Sequence, residues 1–250
     1  MNKFYFICFF LFAVSALGFH AWAGADARLQ VVIDPGHGGN DAGSKEGVEV
    51  EKNWNLKFAQ VLDKALETAG YQVLMTRTSD EAIEPENRLN MINSSNAKLV
   101  LVIHADREWT HTQTGPFLVV EPPNESAAAV VLDTIRPLGV ITPAQFHSSL
   151  KLAQAIGQKL GVNTSLSDLS DSRGIAGETV SPNGKVACLP HQDLRYLSKP
   201  AVVLTPLFLT SASDLKKFAD SDALDDFALK VVQGVNDYCQ IVTKPAVMPQ

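Results

Sequence analysis

Cysteine is scarce in this chain, and basic residues do not outnumber acidic ones; both shortages narrow the chemistry before any motif is read. Of 250 residues three are cysteines, Cys8, Cys188 and Cys239, and no C-x-x-C pair occurs. A structural zinc site made only of cysteines is excluded by that count. Lysine and arginine total 21 against 27 aspartates and glutamates, a formal charge of −6, which argues against nonspecific nucleic-acid binding. Phosphate-loop signatures are missing as well. A Walker pattern needs G-x-x-x-x-G-K-[ST], but Gly43 is followed by Ser44 and Lys45 in the wrong order; a G-x-G-x-x-G pattern fails because Gly36-x-Gly38 leads to Asp41.

The N-terminal apolar run, Phe4–Leu17, falls short of the roughly 20 residues that span a bilayer. With Lys3 before it and Ala21-Trp22-Ala23 after it, residues 1–23 read as a secretory signal peptide cleaved after Ala23. That reading makes the chain an exported one, periplasmic or in the cell wall, with no stable membrane anchor. Cleavage removes Cys8 and Lys3, taking the formal charge from −6 to −7 (20 basic, 27 acidic). In an oxidising compartment Cys188 and Cys239 either pair or stay as separate thiols, and the sequence leaves both open. Residues 24–250, with a core at about 29–242, suit one domain and a monomer.

Hydrophobic patterning alternates between strand and helix. Val31–Ile33 is a β-branched run stopped by Asp34 and Pro35. Residues 51–70 carry Leu56, Phe58, Ala59, Leu62, Ala65 and Leu66 at helical spacing, with Gly70 as a natural stop. Strands are expected in YQVLMTR, AKLVLVIHAD, GPFLVVEPP and PAVVLTPLFLT, a short helix around Arg88–Ile92, and longer helices at Ser148–Gly161 and Leu224–Val242. Residues 124–143, rich in Ala, Val and Pro, read as a helix and loop inserted between core elements, and 162–190 as loop. The alternation implies an α/β fold: a single three-layer domain, its mostly parallel twisted sheet covered by helices on both faces.

Open α/β sheets place chemistry at the carboxyl ends of strands. His37 follows the first strand, His104 ends the AKLVLVIHAD strand, and Glu51 opens the first helix after a loop long enough to fold back. Two imidazoles and one carboxylate with an open fourth position make a catalytic zinc constellation. Singly, each residue has a plainer role: a hydrogen-bonded strand-end histidine, or an acid in a helix's first turn.

The blocks VVIDPGHGGNDAG, EKNWNL, GYQVLMTR, ENRLNMINSSNAKLVLVIHAD, SSLKLAQAIGQKL, RGI and KPAVVL…FLTSASDL, in that order, resemble the motifs of the zinc-dependent N-acetylmuramoyl-L-alanine amidases, the Amidase_3 group. The resemblance covers about Leu29 to Val242. It implies zinc ligation by His37, Glu51 and His104, with Glu49 as a second-ranked carboxylate. It implies hydrolysis of the amide between N-acetylmuramic acid and L-alanine in peptidoglycan, and it allows a regulatory protein partner, since some relatives carry a blocking helix in the region of 124–143.

The chain departs from the family pattern at one position. The resemblance implies a second glutamate on the last strand, acting as general base and acid; KPAVVLTPLFL puts Thr205 there, followed by Pro206 and Leu207. A hydroxyl does not take up a proton at neutral pH as a carboxylate does. This opens an alternative: a zinc-binding pseudoenzyme that binds peptidoglycan or a cell-wall enzyme without hydrolysis. Asp106, two residues past His104, reads as a loop acid or a partner of a ligand histidine, and Glu178 as a solvated loop acid. Arg77, Asp80 and Arg88 read as salt-bridging ties between loops and sheet. Arg195 reads as a surface ion-pair residue or a site for a stem-peptide carboxylate; His111, His147 and His191 read as surface histidines. No catalytic or substrate-binding residue is assigned.

Overall fold

The first strand, β1 (Gln30–Pro35), is buried along nearly its whole length, as its β-branched sequence demands. The structure is a computed structural model, and it describes residues 28–107, 113–123, 141–164 and 186–243. The expected signal peptide, residues 124–140 of the insert, His111 and Glu178 lie outside the described residues. A small hairpin follows β1, made of β2 (Lys45–Glu46) and β3 (Glu49–Val50), and it delivers the chain into α1 (Glu51–Thr68). Then come β4 (Gln72–Met75), α2 (Pro85–Ser94), β5 (Leu99–Ile103), β6 (Phe117–Val120), α3 (Pro143–Leu160), β7 (Val186–Cys188), β8 (Ala201–Thr205), α4 (Ala212–Phe218) and α5 (Ser221–Thr243).

Among the described residues, six strands form one sheet in the order β4-β1-β5-β8-β6-β7. Every neighbouring pair is parallel except β6 with β8. The chain leaves β1 for β4 on one side and returns to β5 on the other. The boundary between β1 and β5 is therefore a switch point, where a crevice opens outside the strands' carboxyl ends. In register, Pro35 lies beside Ile103, so the residues just beyond each strand emerge together at that crevice.

Both sheet faces are covered, unequally. Val31, Ile33, Leu101, Ile103 and Leu204 point to a large core shared with Phe58 and Leu62 of α1, Leu152 and Ile156 of α3, and Phe227 and Val231 of α5. The alternate residues Val32, Val100, Val102 and Val203 face a smaller cluster with Ile92 of α2 and with Leu194 and Leu197. The α/β expectation holds. Two details differ from the sequence reading. The hairpin, β7 and α4 are too short for periodicity to reveal. Helix α3 starts five residues earlier than expected, because Thr142 caps it by accepting from Gln145 N at 3.2 Å and Pro143 fits its first turn. Of the two states left open for Cys188 and Cys239, the structure shows the unbridged one: no disulfide joins them.

Candidate metal centre

The turn after β1 is built to present one imidazole. His37 has φ +62°, a left-handed conformation that costs a residue with a side chain of order 1 kcal/mol and persists only where its surroundings enforce it. Gly38 and Asp41 close the turn by exchanging backbone hydrogen bonds of 2.9 and 3.0 Å. Arg77, fully buried, donates to the carbonyls of Pro35, Gly36 and Lys52, each at 2.9 Å. Arg88 pairs with Asp34 and donates to the carbonyls of Pro35 and His37. Asp80 accepts from Gly39 N at 2.8 Å and Lys52 Nζ at 2.7 Å. The expected loop ties are therefore present, although Arg77 works through backbone carbonyls rather than a close ion pair.

Asn55 was not singled out from sequence. Buried on α1, it donates to the Gly36 carbonyl at 3.1 Å and accepts from Ala105 N at 2.6 Å, clamping the ends of β1 and β5 together. An asparagine on the same helical stripe as Phe58, Ala59 and Leu62 was the available signal.

The three expected residues meet. His104 Nδ1 lies 2.7 Å from Glu51 Oε1, and His37 Nε2 lies 3.3 Å from the same oxygen. One ligand atom from each of the three falls within 4.8 Å of the others. The second oxygen of Glu51 accepts from Ser44 N at 2.7 Å, which fixes the carboxylate as the hairpin turns into α1. The imidazole rings meet edge to face, 5.1 Å between centroids. Glycine leaves the room for this. A Cβ on Gly36 would sit 2.4 Å from the His104 ring, and one on Gly43 would sit 2.6 Å from the His37 ring and 2.7 Å from Glu51 Oε2.

The far nitrogens are occupied too: His37 Nδ1 lies 2.7 Å from Asp41 Oδ2, and His104 Nε2 lies 2.8 Å from Asp193 Oδ2. Burial works against a charged Glu51, yet hydrogen bonds from His104 and His37 outweigh it and hold its carboxyl well below the usual carboxylate range. Hydrogen bonding to Glu51 raises the pKa of His37. Burial also disfavours a charged His104, but Asp193 and Glu51 override it and raise its pKa. The pocket thus favours positive charge where the three donor atoms converge. That preference, the glycine cradle and the two-nitrogen, one-oxygen donor set all suit a zinc ion.

A profile of the N-acetylmuramoyl-L-alanine amidase family matches residues 31–237. The chain belongs to that family. It is 26% identical over 208 residues to the N-acetylmuramoyl-L-alanine amidase LytC of Bacillus subtilis, a match spanning 83% of this chain and 35% of LytC. The chain thus spans a little over a third of the length of the curated relatives it matches. Among solved structures, an N-acetylmuramoyl-L-alanine amidase from Clostridium difficile 630 superposes with a TM-score of 0.60 at 26% identity, covering 87% of this chain and 99% of that one. The CwlD amidase of Clostridioides difficile, solved in complex with the GerS lipoprotein, shares the fold with a TM-score of 0.64 at 19% identity, over 86% of this chain and all of that one.

In this amidase-family chain, Thr205 ends β8 and is buried. Ile103 pairs with Leu204, so the next step of the ladder sets Thr205 beside His104. The position expected to carry a glutamate therefore lies on the strand next to β5, one residue past the Ile103–Leu204 pair, and it holds a hydroxyl. Glu49 is not part of the triad; its carboxylate accepts from Trp54 Nε1 at 2.7 Å. Asp106 accepts from Arg107 N, and loss of solvent around its carboxyl, with repulsion from Glu51, raises its pKa. Arg195, half exposed, lies 3.5 Å from Glu121, the ion-pair reading of the two considered.

His147 is exposed on α3, as expected, but the surface reading of His191 is corrected. Its ring lies 5.5 Å from that of His104, and with Asp193 it forms a second group of possible ligand atoms around His104. His104 continues the row of Val100 and Val102 on the face covered by the segment around Leu194 and Leu197. That packing brings His191 and Asp193 to it. Polarity alone made HQDLRYL look like surface; the buried Leu194 and Leu197 were the signal that it is not.

Proposed function

We propose that this chain is an exported, zinc-dependent peptidoglycan amidase that hydrolyses the amide between N-acetylmuramic acid and L-alanine. Residues 1–23 serve as its signal peptide, and residues 24–250 form one catalytic domain. The observation that carries this reading is the convergence of His37 Nε2, Glu51 Oε1 and His104 Nδ1 at the β1/β5 switch point of an amidase-family fold. These three residues would hold the zinc. Zinc in such a site acts as a Lewis acid toward an amide carbonyl and acidifies water to a pKa of about 7.

The chain's own groups set up that chemistry. Asp41 accepts from His37 Nδ1 and so keeps an N–H on that nitrogen, which lets Nε2 serve as the ligand atom once it gives up the proton it shares with Glu51. Ser44 N holds one oxygen of Glu51, leaving the other for the site. Asn55 and Arg77 fix the backbone that carries the histidines. Peptidoglycan is the substrate, found outside the cytoplasmic membrane where export would take the enzyme. A regulatory protein partner belongs to the same reading, because the CwlD neighbour was solved with the GerS lipoprotein bound.

Thr205 favours a second reading: a zinc-holding relative that binds peptidoglycan or a cell-wall enzyme and does not hydrolyse it. The test is dye release from labelled peptidoglycan by the zinc-loaded chain, beside His37→Ala, with zinc content measured on both. The amidase reading expects one zinc and dye release from the wild type, and loss of both in His37→Ala. Bound zinc without release replaces it by the second reading; no zinc in the wild type removes both.

A further inference from the structure

We propose that Asp193 is a positioning residue of the metal centre, its carboxylate holding the His104 ring so that Nδ1 is the atom offered to the metal. The inference rests on the zinc reading above and extends the centre to a segment 89 residues away in sequence.

The argument starts from imidazole. A neutral ring has one N–H and one lone pair, so a histidine that ligates through one nitrogen must carry its proton on the other. His104 turns Nδ1 toward Glu51 Oε1, at 2.7 Å, and Nε2 toward Asp193 Oδ2, at 2.8 Å. When a metal takes the place of the Nδ1 proton beside Glu51, the carboxylate at Nε2 keeps the ring's remaining N–H on the far side. His37 follows the same scheme with the nitrogens exchanged: Nδ1 meets Asp41 at 2.7 Å, and Nε2 faces Glu51. Carboxylates behind ligand histidines fix tautomer and orientation and raise ligand basicity.

The two supports differ in construction. Asp41 is exposed and sits four residues from the histidine it serves, in the same turn. Asp193 is delivered by a separately anchored segment. Leu194 and Leu197 are buried in the smaller core, and Gln145 on α3 donates to the Leu197 carbonyl at 2.7 Å. The N–H groups of Leu194 and Arg195 bond the His191 carbonyl at 3.0 and 3.1 Å, and Asp193 N donates to His191 Nδ1 at 3.3 Å. His191 N donates in turn to Glu121, at the end of β6. The side chain of Asp193 thus stands on a backbone fixed at several points, as a residue that orients a ligand requires.

The alternative is that His104, His191 and Asp193 themselves hold a metal, since they also form a possible ligand group. That would use Nε2 of His104, and Asp193 would be a ligand. The experiment separates the two. Zinc stoichiometry and affinity, by competition with a chromophoric chelator, are measured for the full chain and for Asp193→Asn, with Arg195→Ala as a control in the same segment. The expected result is one zinc per chain in all three, bound about 10- to 100-fold more weakly in Asp193→Asn and unchanged in Arg195→Ala. Nitrogen-15 NMR of the zinc-loaded wild type supplies a readout that needs no variant: His104 should carry its proton on Nε2. Unchanged affinity in Asp193→Asn, a proton on Nδ1, two zincs in the wild type, or loss of stoichiometric zinc in Asp193→Asn would each overturn the proposal. A wild type that binds no zinc defeats the underlying reading instead, and is distinguishable because it fails before any variant is compared.

Discussion

The ends of β1 and β5 and the end of β8 lie side by side in one sheet, yet they stand in opposite relation to the amidase pattern. At β1 and β5 the three residues that the resemblance names come together: a turn puts His37 at positive φ, a helix start delivers Glu51, and each histidine has a carboxylate on its far nitrogen. At β8 the residue one step across from His104 is Thr205, with Pro206 after it. Holding a metal and moving protons around it are separable tasks; the donor atoms the proposed function assigns to the first converge here, while the last strand carries no carboxylate at the position assigned to the second. Neighbours explain the asymmetry. Both histidines meet the same oxygen of Glu51, so that region forms one interdependent unit, whereas Thr205 stands at a strand end outside it.

The sharpest way to break the comparison is Thr205→Glu. If a carboxylate at that position is what limits hydrolysis, the substitution raises the rate of dye release from labelled peptidoglycan by roughly 10²–10⁴-fold, the usual contribution of a positioned general base. Zinc content should not change. An equal rate in wild type and variant would mean that the β8 end is already equipped by another group, and the contrast between the two regions would fall.

The sequence carried more of the site than of its supports, and the reason is physical. His37, Glu51 and His104 were legible because each sits next to a strong local signal, the end of a β-branched strand or the start of an amphipathic helix. Their meeting followed from the rule that adjacent parallel strands end at one edge. The six-stranded order could not be read so directly, because its edge strand β7 is only three residues long and makes no periodic pattern. Asp193 was missed for a different reason. Its role depends on a contact made across 89 residues, and HQDLRYL resembles a polar loop until Leu194 and Leu197 are seen to be buried. Arg77 was legible as a tie but not in kind, since nothing local says that its guanidinium meets carbonyls from three places.

A smaller effect is expected from Gly36→Ala, which probes the metal-holding region through space alone. The added Cβ would fall 2.4 to 2.9 Å from three atoms of the His104 ring, too close for either to stay. Gly36 has no positive φ, so backbone strain does not confuse the result. Overpacking of this kind costs about 1–3 kcal/mol of stability, and here the ring that must shift belongs to the triad. Chemical denaturation should show that loss, and zinc affinity should fall with it. A variant as stable as the wild type with full zinc affinity would show that His104 has slack, and that the triad's geometry is less fixed than its hydrogen bonds imply.

The smallest effect is a divergence between two pH profiles. Without metal, His37 and His104 have raised pKa values, so their contribution to stability is fully present below their ordinary value of 6.5 and is lost as pH rises through the folded values. Glu51 is shifted the other way; its contribution is present above 4.5 and is lost only as pH falls through its lowered folded value, so it stays flat across the same window. Zinc requires both histidines to give up the protons on their inward nitrogens, so its binding strengthens as pH rises. The melting temperature of the metal-free chain should therefore decline from about pH 6 upward, while the increment added by saturating zinc grows. Thermal shifts with and without zinc, taken across that range, measure both. Parallel curves would mean that metal and protons do not compete for the same atoms, and that Glu51 joins the two histidines for the fold's sake rather than for an ion's.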